Sequence, residues 1–157
     1  MLPVSATESP LLFRRVVFVG VAVLIILGFL PRSYLASPRW DVWVVADNGQ
    51  PLADVNVVLS YQNYSAEDSG HSVISMTDEK GHVQFSPNYE RASFFQKVFY
   101  TLSSARALVH ASFGRHAHVF AYGQGYTGSA VSGKYVTDWR GSPDSMESRI
   151  VAKQVGN

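Results

Sequence analysis

Trp40 to Phe85 reads WDVWVVADNGQPLADVNVVLSYQNYSAEDSGHSVISMTDEKGHVQF. Short β-branched runs alternate there with breaks at Asn48-Gly49, Ser69-Gly70 and Asp78-Glu79-Lys80-Gly81. Branched and aromatic side chains suit a pleated, half-buried surface, whereas Asn, Asp and Gly supply turn geometry. The pattern predicts strands over Trp40–Ala46, Val55–Tyr61, Val73–Thr77 and His82–Ser86. Alternation sets Trp40, Val42 and Val44 on one face, Val55, Val57, Leu59 and Tyr61 inward, and Val83 with Phe85 together. The last two strands, joined across Asp78–Gly81, read as the clearest hairpin. The stretch is the first half of a small antiparallel β-sandwich, and the chain as a whole reads as mainly β.

Downstream the pattern changes. Between Pro87 and Ser112, Phe95, Val98, Phe99, Leu102, Ala105 and Val109 recur mostly at three- and four-residue steps. That period predicts one inserted amphipathic helix over about 92–105. Phe94, Phe95, Phe99 and Tyr100 give it more aromatic surface than a narrow core stripe requires. The plain expectation is that they pack across one face or end of the sandwich, so that Phe95→Asp or Phe99→Asp unfolds the domain. The other reading makes these four aromatics, with Arg91, Lys97 and Arg106, a contact surface for a membrane or a partner protein. His116–Tyr122, Lys134–Trp139 and Met146–Val155 read as further strands, with a glycine-rich loop over Gly123–Gly133.

Upstream lies VVFVGVAVLIILGFL, Val16 to Leu30, with no polar side chain. Fifteen helical residues span roughly 22 Å, short of a hydrocarbon core of about 30 Å. Arg14, Arg15 and Arg32 flank the run and can snorkel to headgroups. The expected organisation is a tail over 1–15, a transmembrane anchor or signal segment over 16–31, a linker over 32–39, and the sandwich over 40–155. A signal peptide cut after Ala36 would put Tyr34 at the −3 position, where a small residue is wanted. A buried core helix would show a polar stripe, and this run has none. Basic residues stand on both sides of it, so charge hardly sets orientation. A short N-terminal tail favours a cytoplasmic start and a domain outside.

Composition narrows function by exclusion. The 157 residues carry 13 basic and 12 acidic side chains, a balance unlike the strongly basic face of a nucleic-acid binder. Without cysteine there is no disulfide, thiolate metal site or cysteine nucleophile. Gly123-x-Gly125-x-x-Gly128 matches a dinucleotide fingerprint in letters, but no helical period follows it. His116 and His118 share a strand face, with His110 and His82 as conceivable companions, yet no metal-site spacing joins them. Asp68, Asp78 and Asp144 make a weak loop calcium candidate. No G-x-S-x-G elbow occurs. No catalytic, metal or cofactor-binding residue is assigned, and no cofactor is expected.

Val44–Tyr61, VVADNGQPLADVNVVLSY, and Thr77–Phe85, TDEKGHVQF, resemble the carboxypeptidase regulatory-like domain, a transthyretin-like β-sandwich. His118–Tyr126, HVFAYGQGY, is similar to that family's strand ending in an aromatic step. The resemblance implies turns at Gly49 and Gly81, core positions at Val55, Val57, Leu59 and Phe85, and Tyr126 packed under the sandwich edge. It also implies a non-catalytic accessory, adhesion or assembly module. The segment after Phe85 departs from the family, whose members turn straight back into the next strand. The combined expectation is a bacterial-type, single-pass inner-membrane protein, held by Val16–Leu30, with a periplasmic β-sandwich that binds a protein or envelope component. The alternative is a secreted carrier or small-ligand-binding protein released by signal cleavage.

Overall fold

A computed structural model describes residues 10–106, 112–123, 125–128 and 137–154, apart from the side chains of Pro10, Tyr126 and Gln154. The elements in chain order are α1 (Pro10–Phe29), β1 (Arg32–Ser37), β2 (Arg39–Ala46), β3 (Asn56–Asn63), β4 (His71–Met76), β5 (His82–Phe85) and β6 (Asn88–Ala92). Then follow α2 (Phe94–Ala105), β7 (Arg115–Gly123), β8 (Tyr126–Gly128), β9 (Asp138–Trp139) and β10 (Ser145–Gln154). β1 and β6 form a two-stranded sheet. The other strands run in the order β4-β3-β7-β8-β10-β2-β5, with β9 paired to β7.

This long sheet folds over at β10. Ser145–Ala152 pairs in parallel with β2, and Lys153–Gln154 pairs antiparallel with β8. One strand therefore serves both layers. The alternation written in the sequence then closes a core between them. Trp40, Val42 and Val44 of β2, Ile150 of β10 and Phe85 of β5 meet Val57, Leu59 and Tyr61 of β3 and Ala117, Val119 and Ala121 of β7. The fold is a mainly β sandwich with an N-terminal apolar helix and one inserted helix, as the sequence predicts.

Polar groups inside the core have partners. Trp40 Nε1 donates to Ser148 Oγ at 2.8 Å, tying β2 to its parallel neighbour. Trp139 Nε1 donates to the Pro143 carbonyl at 2.6 Å. Thr77 is buried; its Oγ1 donates to the Leu52 carbonyl and accepts from Val55 N. A buried polar group without a partner costs about 1–3 kcal/mol, so these bonds fix side-chain choice as well as position.

The expected turns form where Gly allows them. Gly49 (φ 82°) closes the β2 exit, with Gly49 N bonded to Ala46 O and Gln50 N to Asn48 Oδ1. Gly81 (φ 70°) donates to Asp78 O, while its own carbonyl accepts from Val44 N. A Cβ there would stand 2.5 Å from Val44 O, so no other residue fits without moving backbone.

Several local expectations need correction. β4 and β5 are not a hairpin: β4 pairs with β3 and β5 with β2. Asp78–Gly81 is an arch from one layer to the other, pinned by buried Thr77 on one side and by Val44 on the other. The 32–39 segment is not a linker. Arg32–Ser37 is a strand opposite β6, Ala36 and Ser37 are buried, and Asn88 Nδ2 donates to Ser37 Oγ. Arg115 reinforces it, donating to Leu35 O and Gly141 O while its guanidinium stands 5.4 Å from the Trp139 ring. Within 134–139, Asp138–Trp139 is a strand, buried Thr137 accepts at its carbonyl from Val119 N, and 134–136 lie outside the described residues. Val155 and the Tyr126 side chain lie outside them too.

Leu59 is fully buried at the centre of the core. Leu59→Ala is expected to lower unfolding free energy by about 2–5 kcal/mol. Urea unfolding of the full chain in detergent, followed by tryptophan fluorescence, measures it.

Candidate interaction surface

α1 is apolar all round from Val16 to Phe29, and none of its described residues is buried. Its last turn is not free of the rest of the chain. The Phe29 ring lies 4.7 Å from the Phe95 ring, and Gly28 sits under that ring so closely that a methyl group would collide with it. Pro31 follows, and β1 begins at Arg32. The sandwich thus starts within three residues of the helix end and touches it a second time through α2.

α2 begins where β6 stops. Ser93, with extended backbone (φ −79°, ψ 162°), accepts at Oγ from Gln96 N at 3.1 Å, an N-cap that ends the strand and starts the helix. The helix then turns its polar side toward the domain. Gln96 Nε2 donates to Ala66 O at 2.9 Å, and Ser104 Oγ donates to Tyr64 O at 3.1 Å, both in the turn after β3. Lys97 Nζ stands 5.0 Å over the Tyr34 ring.

The opposite side is apolar and open. Phe94 is 64% exposed, Phe99 65% and Leu102 61%, and no residue of α2 is buried. The expected packing of Phe95 and Phe99 across the sandwich is therefore overturned. Of the four aromatics singled out, Phe94 and Phe99 face outward, Phe95 lies against α1, and Tyr100 is half-buried with its ring edge-on to Phe99. Arg106 caps the helix through its own N–H. A water-facing helix normally buries this stripe; each such side chain gains about 1.5–3 kcal/mol on leaving water.

The chemical candidates are dispersed. His116 bonds to Phe113 O at 2.9 Å and lies edge-on to Tyr64, while His118 stacks on Phe120. His110 lies outside the described residues. Among the described residues no group of three His, Asp or Glu side chains converges as a metal site, so Asp68, Asp78 and Asp144 do not meet. Gly123 and Gly125 form the turn into β8, and Gly128 is packed against the Val151 carbonyl. These glycines serve a β-hairpin. No sequence signal pointed to a polar cluster that forms on the paired strands β2 and β5, because its members are remote in the chain. Asp41 accepts from Gln84 Nε2 at 2.6 Å and Arg39 Nε at 3.3 Å, and its Oδ1 stands 3.2 Å from His82 Nε2. Trp43 lies 4.9 Å from the His82 ring on the same open face.

No protein-family model matches the chain, and no curated protein matches it. Among solved structures it is similar to 3-chlorocatechol 1,2-dioxygenase from Rhodococcus opacus 1CP, with a TM-score of 0.46 and 15% identity over 78% of this chain. The match covers 62% of that enzyme's chain, and a likeness at this level carries no argument about activity.

Partial burial pushes the Asp41 carboxyl up, but hydrogen bonds from Gln84 and His82 and the Arg39 charge outweigh it and hold the group below its ordinary value. A carboxylate depressed in the folded state stabilises the fold above its unfolded value, near 3.9, and loses that contribution as pH falls through the folded value. Asp41→Asn is therefore expected to lower stability at pH 6, with the difference from the parent shrinking toward pH 3. Urea midpoints across that range check it.

Proposed function

We propose that the chain is a membrane-tethered, non-catalytic module whose β-sandwich lies outside the cytoplasm and engages a protein or envelope component. α1 is its single span, with the N-terminus on the cytoplasmic side, and α2 lies in the headgroup layer beside it. The observation that carries this reading is the inverted placement of α2, polar side to the domain and apolar side outward, in contact with the end of α1. In water that arrangement leaves Phe94, Phe99 and Leu102 uncompensated; at a bilayer surface the same face is buried among acyl chains.

Two further observations support the tether. α1 has 20 residues, roughly 30 Å of helix, which matches a hydrocarbon core once Arg14 and Arg15 reach for headgroups. A signal cleavage after Ala36 would strip β6 of the strand it pairs with and remove the buried Ala36 side chain. Retaining α1 avoids both losses. The likeness of Val44–Tyr61 and Thr77–Phe85 to the carboxypeptidase regulatory-like domain fits an accessory role for the sandwich. A bacterial inner membrane with the domain in the periplasm is the location this reading implies.

Intact-mass measurement on protein purified from membranes is expected to show a chain that retains α1; a mature start near Ser37 would replace the tether by a secreted carrier. A second measurement addresses α2. Phe99→Ser with Leu102→Ser is expected to leave the unfolding free energy, from urea titration in detergent, within about 0.5 kcal/mol of the parent, as for surface positions. The same pair of changes reduces quenching of an α2-attached fluorophore by brominated lipids in vesicles. Loss of fold in detergent, or unchanged quenching, counts against an interfacial helix.

A further inference from the structure

Between α1 and α2 lies a cleft of about 430 Å³, within the range of sites for small ligands, about 300–1,000 Å³. Gly28 makes it: with no side chain there, Phe95 closes onto α1 at one point and leaves the neighbouring space open. Leu24, Leu27 and Phe94 wall that space, and Arg32 and Lys97 line it as well. Along the chain these residues are ordered. Leu24 sits inside the apolar helix, and Arg32 opens β1 just past its end at Phe29. The cleft is apolar toward the middle of α1 and cationic where the sandwich begins.

Neither cation is neutralised. Among the described residues Arg32 and Lys97 form no ion pair; Lys97 meets only the Tyr34 ring, and Glu90, on the strand opposite β1, bridges to neither. α2 has no acidic residue in its first turn. Two unpaired cations at the polar end of an apolar cleft select a ligand with the same lengthwise polarity. A guanidinium and an ammonium both bind phosphate oxygens, the former through a fork of donors.

We propose that this cleft holds one anionic phospholipid, its phosphate between Arg32 and Lys97 and the upper part of an acyl chain against Leu24, Leu27 and Phe94. The site rests on the reading of α1 as a retained span, which puts Arg32 at headgroup depth and Leu24 within the hydrocarbon. A zwitterionic choline headgroup fits less well, because its own cation would face two more. The bound lipid would fill the space between the two helices and set the distance of α2 from α1, with its charge as the determinant of occupancy.

The test uses the full chain, purified in detergent and offered phosphatidylglycerol or phosphatidylcholine, with retained lipid counted by native mass spectrometry. The expected result is one phosphatidylglycerol per chain, retained about tenfold or more over phosphatidylcholine, with that preference lost in Arg32→Gln/Lys97→Gln. Near-UV circular dichroism of the variant, matching the parent, keeps the comparison one of binding. Equal retention of the two lipids, or a variant that keeps its preference, overturns the proposal. So does displacement of the lipid by inorganic phosphate at millimolar concentration, which would make the site a plain anion site. Intact mass on the same preparation separates the two levels: a retained α1 without lipid preference removes only the lipid site, whereas a chain starting near Ser37 removes the tether and the cleft together.

Discussion

Phe95 against Phe29 and Gly28 is the contact on which the placement of this domain depends. Pro31 and β1 already join α1 to the sandwich covalently, but one connection leaves orientation free. The aromatic contact supplies a second point of attachment on the same turn of α1, and Gly28 permits it because any side chain there would meet the Phe95 ring. With α2 fixed at that end, Gln96 and Ser104 tie its far side to the turn after β3. The apolar face of α2 then points away from the domain by necessity, since its polar face is already engaged.

Much of the fold is legible in the sequence because its determinants are local. Asn48-Gly49 and Gly81 specify turns that only a few residues tolerate, and two-residue alternation assigns Trp40, Val42, Val44, Val57 and Leu59 to the core before any pairing is known. What fails is partner choice. Asp78–Gly81 has the same chemistry whether it closes a hairpin or an arch; the difference lies in Thr77 and Val44, which bond to chain remote from the turn. β1 and β6 fail for a related reason. SYLASPR and NYERA have no clean alternation, and each is a strand because the other is beside it, with Asn88 bonding one to the other and Arg115 holding the pair to the sandwich.

The aromatic helix shows a different boundary. Its period and its extent are readable from Phe95, Val98, Phe99 and Leu102. Its direction is not, since an amphipathic stripe has the same spacing whether it faces a protein core or lipid. The decision rests with the polar residues. Gln96 and Ser104 find carbonyls at Ala66 and Tyr64 that the turn after β3 leaves available, and once those bonds form the stripe has no core to enter. Tyr34 and Lys97 act in the same sense, with the ammonium over the ring.

Fold and placement are consequently carried by separate sets of residues. The core closes with side chains from β2, β3, β5, β7 and β10 and takes none from α2. A substitution in the core changes how much folded protein exists; a substitution on the outer face of α2 leaves that core untouched. That separation suits a tethered module. The sandwich can keep a stable scaffold under one set of constraints, while under the proposed tethering its depth and tilt at a bilayer would respond to another, and the apolar face can be exposed without weakening the fold that presents it. The outer face bearing Trp43, His82 and Asp41 belongs to neither set, since none of the three is among the core side chains or on α2. Under the proposed tethering, the two attachments of the sandwich to α1 would give such a face a fixed heading, and a partner docking there would meet it already oriented.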